Sequence, residues 1–250
     1  MAHIERTDYE TITAVCDHCG FRCIFNRVAD LGDPGRYSGR PVACLKCHKK
    51  FHIHGDTLNP AYDLFLTAAS EHFHAKRYML CVASLAQAWE LFLSAFIYLN
   101  YLYHPYSANT WDAHERVRFT QLDEQLHGAI RKFAFDRLRN VLINTVLKRV
   151  HPQTLQPSEV AIPRITAEGF YNAPSDADID SFPDAKIRDG LNGLKALRIG
   201  ELRNDVVHHN AYRPQRAEVE RCCGPEIVLL RDIETGLLIN HFNKRAVIRA

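Results

Sequence analysis

Two pairs of cysteines near the start of the sequence constrain the fold more than any other feature. Cys16 and Cys19 form one CxxC pair, and Cys44 and Cys47 form the second. Each pair can wrap two thiolates around one tetrahedral ion at a tight turn, which is the pattern of a structural zinc site. A segment of about 60 residues buries too little apolar surface to be stable unaided, so bound zinc would supply part of its folding energy.

Neighbouring residues leave alternatives to this ligand set open. Cys23 or His48 could replace one of the four thiols, because a closed structural site takes four ligands. The stretch from Cys44 to His48 also matches the CxxCH pattern of c-type haem attachment. That interpretation leaves Cys16 and Cys19 without partners and requires an exported chain, so we predict zinc.

The segment that contains these cysteines has the pattern of a small β unit. Apolar and polar residues alternate over 11–15 and 51–54, with glycine- and proline-containing turns between them. Together with the cysteine pairs, this pattern resembles the zinc-ribbon family, whose members stabilise a fold or bind a nucleic acid or a protein. Asn59 and Pro60 then provide a helix cap and a first helical residue. We therefore predict a zinc ribbon that ends at residue 57.

The rest of the chain, residues 58–250, is predicted to form a helical domain. Apolar residues recur at helical spacing over 60–74, over 77–103, over 113–150 with a break near Gly128, over 184–210, and over 214–238 with a break at Gly224–Pro225. Five prolines between 151 and 183 predict a long loop with at most short structured pieces, which could form a flexible lid or an insertion. The predicted fold class is mainly α, a helical bundle preceded by the small β zinc ribbon.

The most apolar segment, Tyr78–Tyr103, is long enough to span a bilayer. It contains Glu90, however, and an ionised carboxylate near a bilayer centre costs several kcal/mol. We therefore predict a buried core helix, and the residues expected on its inner face are Leu80, Leu85, Ala88, Leu91, Phe92, Ala95, Phe96 and Leu99.

Composition and charge are those of a soluble globular protein. The chain is 46% hydrophobic and 24% charged, with a formal net charge of +2. This balance excludes a strongly basic nucleic-acid coat but allows a local basic groove. The first ten residues lack the basic, apolar and small-residue order of a secretory signal, which predicts a cytoplasmic protein that makes no membrane contact.

A second chemical signal lies near the C-terminus, where Arg203 and Asn204 are followed by His208. On a helix, Asn204 and His208 are four residues apart and share a face, while Arg203 is offset and must reach the same site with its long side chain. Arg203 offers a planar, permanent charge for a phosphate, and His208 can exchange protons near neutral pH. Asn204 can orient a neighbour or the substrate.

This motif, together with the helix over 83–90 (ASLAQAWE), resembles the HEPN family (higher eukaryotes and prokaryotes nucleotide-binding domains) over roughly residues 60–235. The resemblance implies a homodimer in which two Arg/His pairs form one composite, metal-independent site that cuts RNA. In such a site the 2′-hydroxyl attacks the adjacent phosphodiester, His208 moves the proton, Arg203 stabilises the phosphorane charge, and Asn204 completes the catalytic set.

Two further residues are candidates for supporting roles, and the resemblance implies a biological setting and partners. Glu90 would orient Arg203, and His209 would support the site from the position after His208. The RNA-cutting members are commonly found in toxin and antiphage systems, which implies a toxin or antiviral defence effector. Its partners would be RNA, a second copy of the chain and an antitoxin or activator protein.

Other interpretations of the same residues stay open. An arginine and a histidine near a helix end can cap carbonyls or pair with carboxylates, in which case Arg203 and His208 only hold a dimeric scaffold together. Glu90 can equally be a buried ion-pair partner with no chemical role. Finally, the ribbon and helices could form a non-catalytic module that binds RNA, a nucleotide or a protein.

Overall fold

The structure is a computed structural model that describes residues 11–27, 29–32, 40–53, 61–103, 105, 113–150, 152, 155–165, 170–208 and 212–233. These residues are mainly helical, with small antiparallel strands near the N-terminus, which confirms the predicted fold class at that level. The buried side chains form two separate hydrophobic clusters, one within residues 12–53 and one within residues 62–233. The predicted boundary at residue 57 lies outside the described residues.

The N-terminal region, residues 11–53, which we call the ribbon, consists of two hairpins. Strand β1 (Thr11–Val15) pairs antiparallel with β2 (Arg22–Asn26), and β3 (Pro41–Ala43) pairs antiparallel with β4 (Lys50–His52). The strands predicted from the alternating pattern are therefore present. The apolar side chains that the two hairpins bury together include Ile12, Phe25, Phe51 and Ile53.

Helices make up most of the remaining chain. Their bounds are α1 Ala61–His74, α2 Tyr78–Tyr98 with a π-helical continuation over Leu99–Tyr103, α3 Ala113–Ile130, α4 Phe135–Leu147, α5 Leu155–Ile165, α6 Asp176–Asp180, α7 Ala185–Lys195, α8 Ile199–His208 and α9 Arg216–Ile233. Helix α2 contacts α1, α4, α8 and α9, and so forms the centre of this domain.

The apolar helix α2 is a core helix, as predicted. The segment Tyr78–Leu102 is the one candidate membrane span in the described part of the chain, and 56% of an 18-residue apolar stretch within it is buried inside the domain. Phe92 is fully buried and meets the rings of Tyr62 and Trp89 edge-on, with centroids 5.3 and 5.7 Å apart. The prediction for the inner face is wrong at Leu80. This residue lies in the first turn, away from the buried stripe, and is 49% exposed.

The break predicted near Gly128 is present slightly further along the chain, over 131–134 between α3 and α4. Gly128 is an ordinary helical residue with nothing within 4 Å of its Cβ position. The chain leaves the helix only over 131–134, where Ala134 adopts an extended conformation before α4 begins. The break predicted at Gly224–Pro225, by contrast, is wrong, because α9 passes through both residues, which are exposed on its outer side.

The prediction of a long loop over 151–183 is wrong, because the region contains two helices, α5 and α6. Their inner residues belong to the domain core, since Ile162, Ile165 and Ile179 are fully buried. Asn144 of α4 donates from its amide nitrogen to the carbonyl oxygens of Phe170 (2.7 Å) and Asn172 (3.0 Å). The described part of this region is therefore packed into the domain rather than forming a flexible lid.

Candidate functional site

Four cysteine thiols of the ribbon lie close enough together to hold one metal ion. The sulfur atoms of Cys16 and Cys47 are 3.8 Å apart, those of Cys19 and Cys44 are 3.7 Å apart, and all four lie within 4.8 Å of one another. A tetrahedral zinc ion with bonds of about 2.3 Å to sulfur requires sulfur–sulfur edges of about 3.8 Å. The four predicted ligands thus form a group that could bind a metal such as zinc.

Tight turns in the backbone bring each cysteine pair into position. The N–H of Gly20 donates to the carbonyl oxygen of Cys16 (2.8 Å), and that of His48 donates to the carbonyl oxygen of Cys44 (3.0 Å). Both turns end in a left-handed residue, with φ of +67° at Gly20 and +60° at His48. The exposed His48 therefore closes the second turn, while the four cysteines form the thiol cluster.

The Cys44 sulfur is prepared for the ionised form that binds metal. The backbone N–H groups of Lys46 and Cys47 point at this sulfur at 3.3 and 3.4 Å. Desolvation raises the pKa of the Cys44 thiol, but the hydrogen bonds lower it by a larger amount, so the pKa is about 6.

Cys23 lies beside the four-thiol group without belonging to it. Its sulfur is 3.8 Å from that of Cys44 and accepts a hydrogen bond from the N–H of Leu45 at 3.4 Å. Burial raises the pKa of the Cys23 thiol to about 11. Cys23 shares the inner face of β2 with Phe25, two residues on, and this alternation is the sequence signal for its inward position.

In the helical domain, Arg203 and Asn204 line a cleft of about 710 Å³ between α2, the α3–α4 turn and the α7–α8 region. Glu90 lines the same cleft from α2. The charged residues that line it are Glu90, Arg131, Asp136, Arg139, Lys195, Arg198, Glu201 and Arg203. Five of these eight are cationic, so the cleft has a net positive lining.

Most of the lining cations are already paired with carboxylates. The pairs are Arg139 with Asp136 (3.0 Å), Arg198 with Glu201 (3.7 Å) and Lys195 with Asp176 (2.6 Å). Within the described ranges, the guanidinium groups of Arg131 and Arg203 have no carboxylate at ion-pair distance. The cleft therefore presents two arginine charges to an anionic ligand, and Arg131 was not predicted from the sequence.

The predicted catalytic residues are only partly brought together. The Arg203 guanidinium donates to the Asn204 side-chain oxygen at 3.2 Å. His208 is exposed at the last residue of α8 and is not part of the cleft lining. Glu90 shares the cleft with Arg203, but no hydrogen bond or ion pair joins the two in the described structure. His209 lies outside the described residues.

No known family model, no curated protein and no solved structure matches this chain.

Proposed function

We propose that this protein is a HEPN-like, metal-independent endoribonuclease that cuts RNA at a composite site between two copies of the chain. One observation carries the proposal. Arg203 and Asn204 line a cationic cleft, and His208 is exposed one turn later on the same short helix. Arg203, which can bind phosphate, and His208, which can transfer protons, thus lie at the same rim of the domain.

The cleft suits the phosphodiester backbone of RNA. Arg203 is half-buried and has no carboxylate partner among the described residues, so its planar donors are available to phosphate oxygens. Asn204 accepts a hydrogen bond from Arg203 and thereby orients the guanidinium. Arg131 supplies a second charge, which can contact a neighbouring phosphate of the same strand.

In the proposed reaction, the 2′-hydroxyl oxygen of one nucleotide bonds to the adjacent phosphorus while the bond from phosphorus to the 5′-oxygen breaks. One His208 accepts the proton of the hydroxyl, and the His208 of the second protomer gives a proton to the leaving 5′-oxygen. Arg203 stabilises the additional charge of the phosphorane. The products end in a 2′,3′-cyclic phosphate and a 5′-hydroxyl.

The position of His208 favours a site shared by two protomers. Because His208 does not line the cleft of its own chain, an arrangement within one protomer leaves the proton-transfer group apart from Arg203. Two α8 ends facing each other across a twofold axis would bring both Arg203–His208 pairs to one RNA strand. We therefore propose a homodimer.

The ribbon has a structural role in this proposal. Cys16, Cys19, Cys44 and Cys47 bind zinc, and zinc holds the two hairpins together without supplying a catalytic group. By its resemblance to the HEPN ribonucleases, we further propose that the protein is a cytoplasmic toxin or antiviral defence effector. An antitoxin or activator protein would control it.

The proposal is tested by RNA cleavage with single variants of the full chain. Proton transfer by a placed histidine is commonly worth about 10²–10⁴ in rate, so we expect His208→Ala to lower kcat by at least 100-fold while RNA binding is retained. Arg203→Ala should lower both cleavage and binding. The matched controls are His74→Ala and Arg221→Ala, which change exposed residues of α1 and α9 and should leave cleavage unchanged.

Mixing wild type with an excess of His208→Ala tests the shared site. Each heterodimer then contains only one of the two histidines that transfer protons, so cleavage should fall well below that of the same amount of wild type alone, whereas a site within one protomer would keep the wild-type rate. Wild-type rates in the single variants would refute the catalytic roles. A folded wild-type dimer that binds RNA without cutting it would favour the non-catalytic binding module.

A further inference from the structure

Helix α8, which carries Arg203, Asn204 and His208, takes its N-terminal cap from another helix. The residue before it is Arg198, whose side chain is not a cap acceptor. Instead, Oε1 of Glu226 on α9 accepts hydrogen bonds from the backbone N–H of Arg198 (2.7 Å) and of Ile199 (3.1 Å). The carboxylate thus satisfies two of the N–H groups that a helix start leaves open.

Glu226 is held in this position at an electrostatic cost. The residue is only 7% exposed, and its second oxygen, Oε2, is buried without a hydrogen-bond partner in the described structure. The thiol of Cys222 donates to the same Oε1 at 3.5 Å. The positive end of α8 and its N–H groups face this carboxylate and offset part of the cost of burying it with one orphan oxygen.

Helix α4 fixes the same junction from the other side. The guanidinium of Arg139 donates to the carbonyl oxygen of Leu197 at 3.4 Å. Gly200 lies so close to α4 that a Cβ there would be 2.9 Å from Cδ1 of Phe135. The first turn of α8 is therefore fixed by α4 and α9 one turn before Arg203 and Asn204 enter the cleft.

We propose that Glu226 is a positioning residue for the site, since it sets the direction of α8 through its first turn. The inference rests on the proposed ribonuclease function for its catalytic readout. Glu226 makes no contact with RNA in this account. Removing its carboxylate frees the N–H groups of Arg198 and Ile199, lets the first turn of α8 fray, and displaces the side chains that follow.

The test compares Glu226→Leu with Glu226→Gln in the full chain. Leucine removes both hydrogen-bond acceptors, whereas glutamine keeps one acceptor oxygen without the charge. Helix caps contribute enough that we expect kcat to fall about tenfold in Glu226→Leu, and Glu226→Gln should recover part of this loss. Amide hydrogen exchange over 198–204 should be faster in Glu226→Leu and closer to wild type in Glu226→Gln.

Leu230→Ala provides the matched control, because Leu230 is fully buried on the same helix and removing its side chain destabilises α9 without altering the cap. At temperatures where every variant is folded, Leu230→Ala should keep wild-type kcat and wild-type exchange over 198–204. Equal losses in Leu230→Ala and Glu226→Leu would overturn the proposal, as would unchanged exchange in Glu226→Leu.

Failure of the ribonuclease proposal would give a different result. The wild type would then cut no RNA, but the exchange comparison remains decisive. Local loss of protection in Glu226→Leu alone would support positioning of α8 by Glu226, and identical protection in all variants would contradict it.

Discussion

Among its described residues, the ribbon has a core of nine buried side chains, three of which are cysteines, whereas the helical domain buries a continuous apolar core around α2. The ribbon hairpins meet at four thiols spaced for a tetrahedral ion. The site on α8 is instead held by packing and by a cap from α9. We expect the ribbon to depend on metal for its fold, and the helical domain to depend on burial and on polar contacts that hold particular segments.

Loss of one ribbon thiol should have the largest effect on folding, and this effect should be confined to the ribbon. A structural zinc ion supplies about 10–16 kcal/mol of apparent binding energy in small domains, so Cys44→Ser should unfold the ribbon and release its zinc. Zinc content and hydrogen exchange over 11–53 check this, and thermal unfolding of the helical domain should persist. Cys23→Ser is the control and should keep one zinc per chain, because Cys23 is outside the four-thiol group. A Cys44→Ser ribbon that stays folded would contradict the metal dependence.

A cavity in the helical core should have the next largest effect. Phe92→Ala removes a fully buried ring that packs on Tyr62 and Trp89, and such truncations cost about 3–5 kcal/mol. Urea unfolding should show this loss while zinc content stays unchanged. Val228→Ala, at a position 59% exposed on α9, should change the free energy of unfolding by less than about 0.5 kcal/mol. Zinc loss in Phe92→Ala would show that the two regions are not independent.

A smaller effect is expected for the polar contacts that hold residues 170–172. Asn144→Ala leaves the carbonyl oxygens of Phe170 and Asn172 without the amide that binds them, which costs about 1–3 kcal/mol. Hydrogen exchange should rise in this segment before it rises in α2. Asn192→Ala, at an exposed position of α7, serves as the control. Equal stability of Asn144→Ala and wild type would show that packing alone holds the segment.

The smallest expected effect is the part of the pH dependence of the free energy of unfolding that comes from Glu226. Burial raises the pKa of this carboxyl above 4.5, although hydrogen bonds from Arg198, Cys222 and Ile199 oppose the rise. The folded state therefore binds the proton more tightly than the unfolded state does. The stability that this proton contributes is fully present well below pH 4.5 and is lost as the pH rises through the pKa of the folded state.

Glu226→Gln removes this titration. The free energy of unfolding of wild type relative to Glu226→Gln should therefore be greater well below pH 4.5 than at pH 8, by about 1.4 kcal/mol for each unit of the pKa shift. Chemical denaturation of both proteins at several pH values measures this difference. A difference that grows towards high pH would mean that the carboxylate is stabilised in its charged form.

The sequence was sufficient where spacing alone determines structure. The two CxxC pairs identified the four thiols, and the apolar period identified α2 as a core helix. The prolines of the 151–183 region predict a loop, and this prediction is wrong because three of them lie at positions that helices accept. Pro157 lies in the first turn of α5, where its missing N–H is not needed, and Pro174 and Pro183 immediately precede the capping residues Ser175 and Asp184.

The cleft could not be predicted in the same way. Arg131 lies after α3 and Lys195 ends α7, so only the tertiary packing brings them to the cleft with Arg203. The sequence does contain a signal for the buried position of Glu226. It is the one carboxylate in the buried stripe of α9, which also contains Val219, Cys223, Leu230 and Ile233. A single charge in such a stripe indicates a buried polar partner, which here is the start of α8.

The most direct test of the central claim is the chemistry of the RNA product ends. The purified protein is incubated with mixed RNA in excess EDTA, beside Arg203→Ala and His208→Ala. Folding is followed in the same samples, because EDTA can remove the metal proposed for the ribbon. We predict cleavage by the wild type alone, with 2′,3′-cyclic phosphate and 5′-hydroxyl ends. Absence of cleavage by folded protein, or 3′-hydroxyl ends with a 5′-phosphate, would contradict the account.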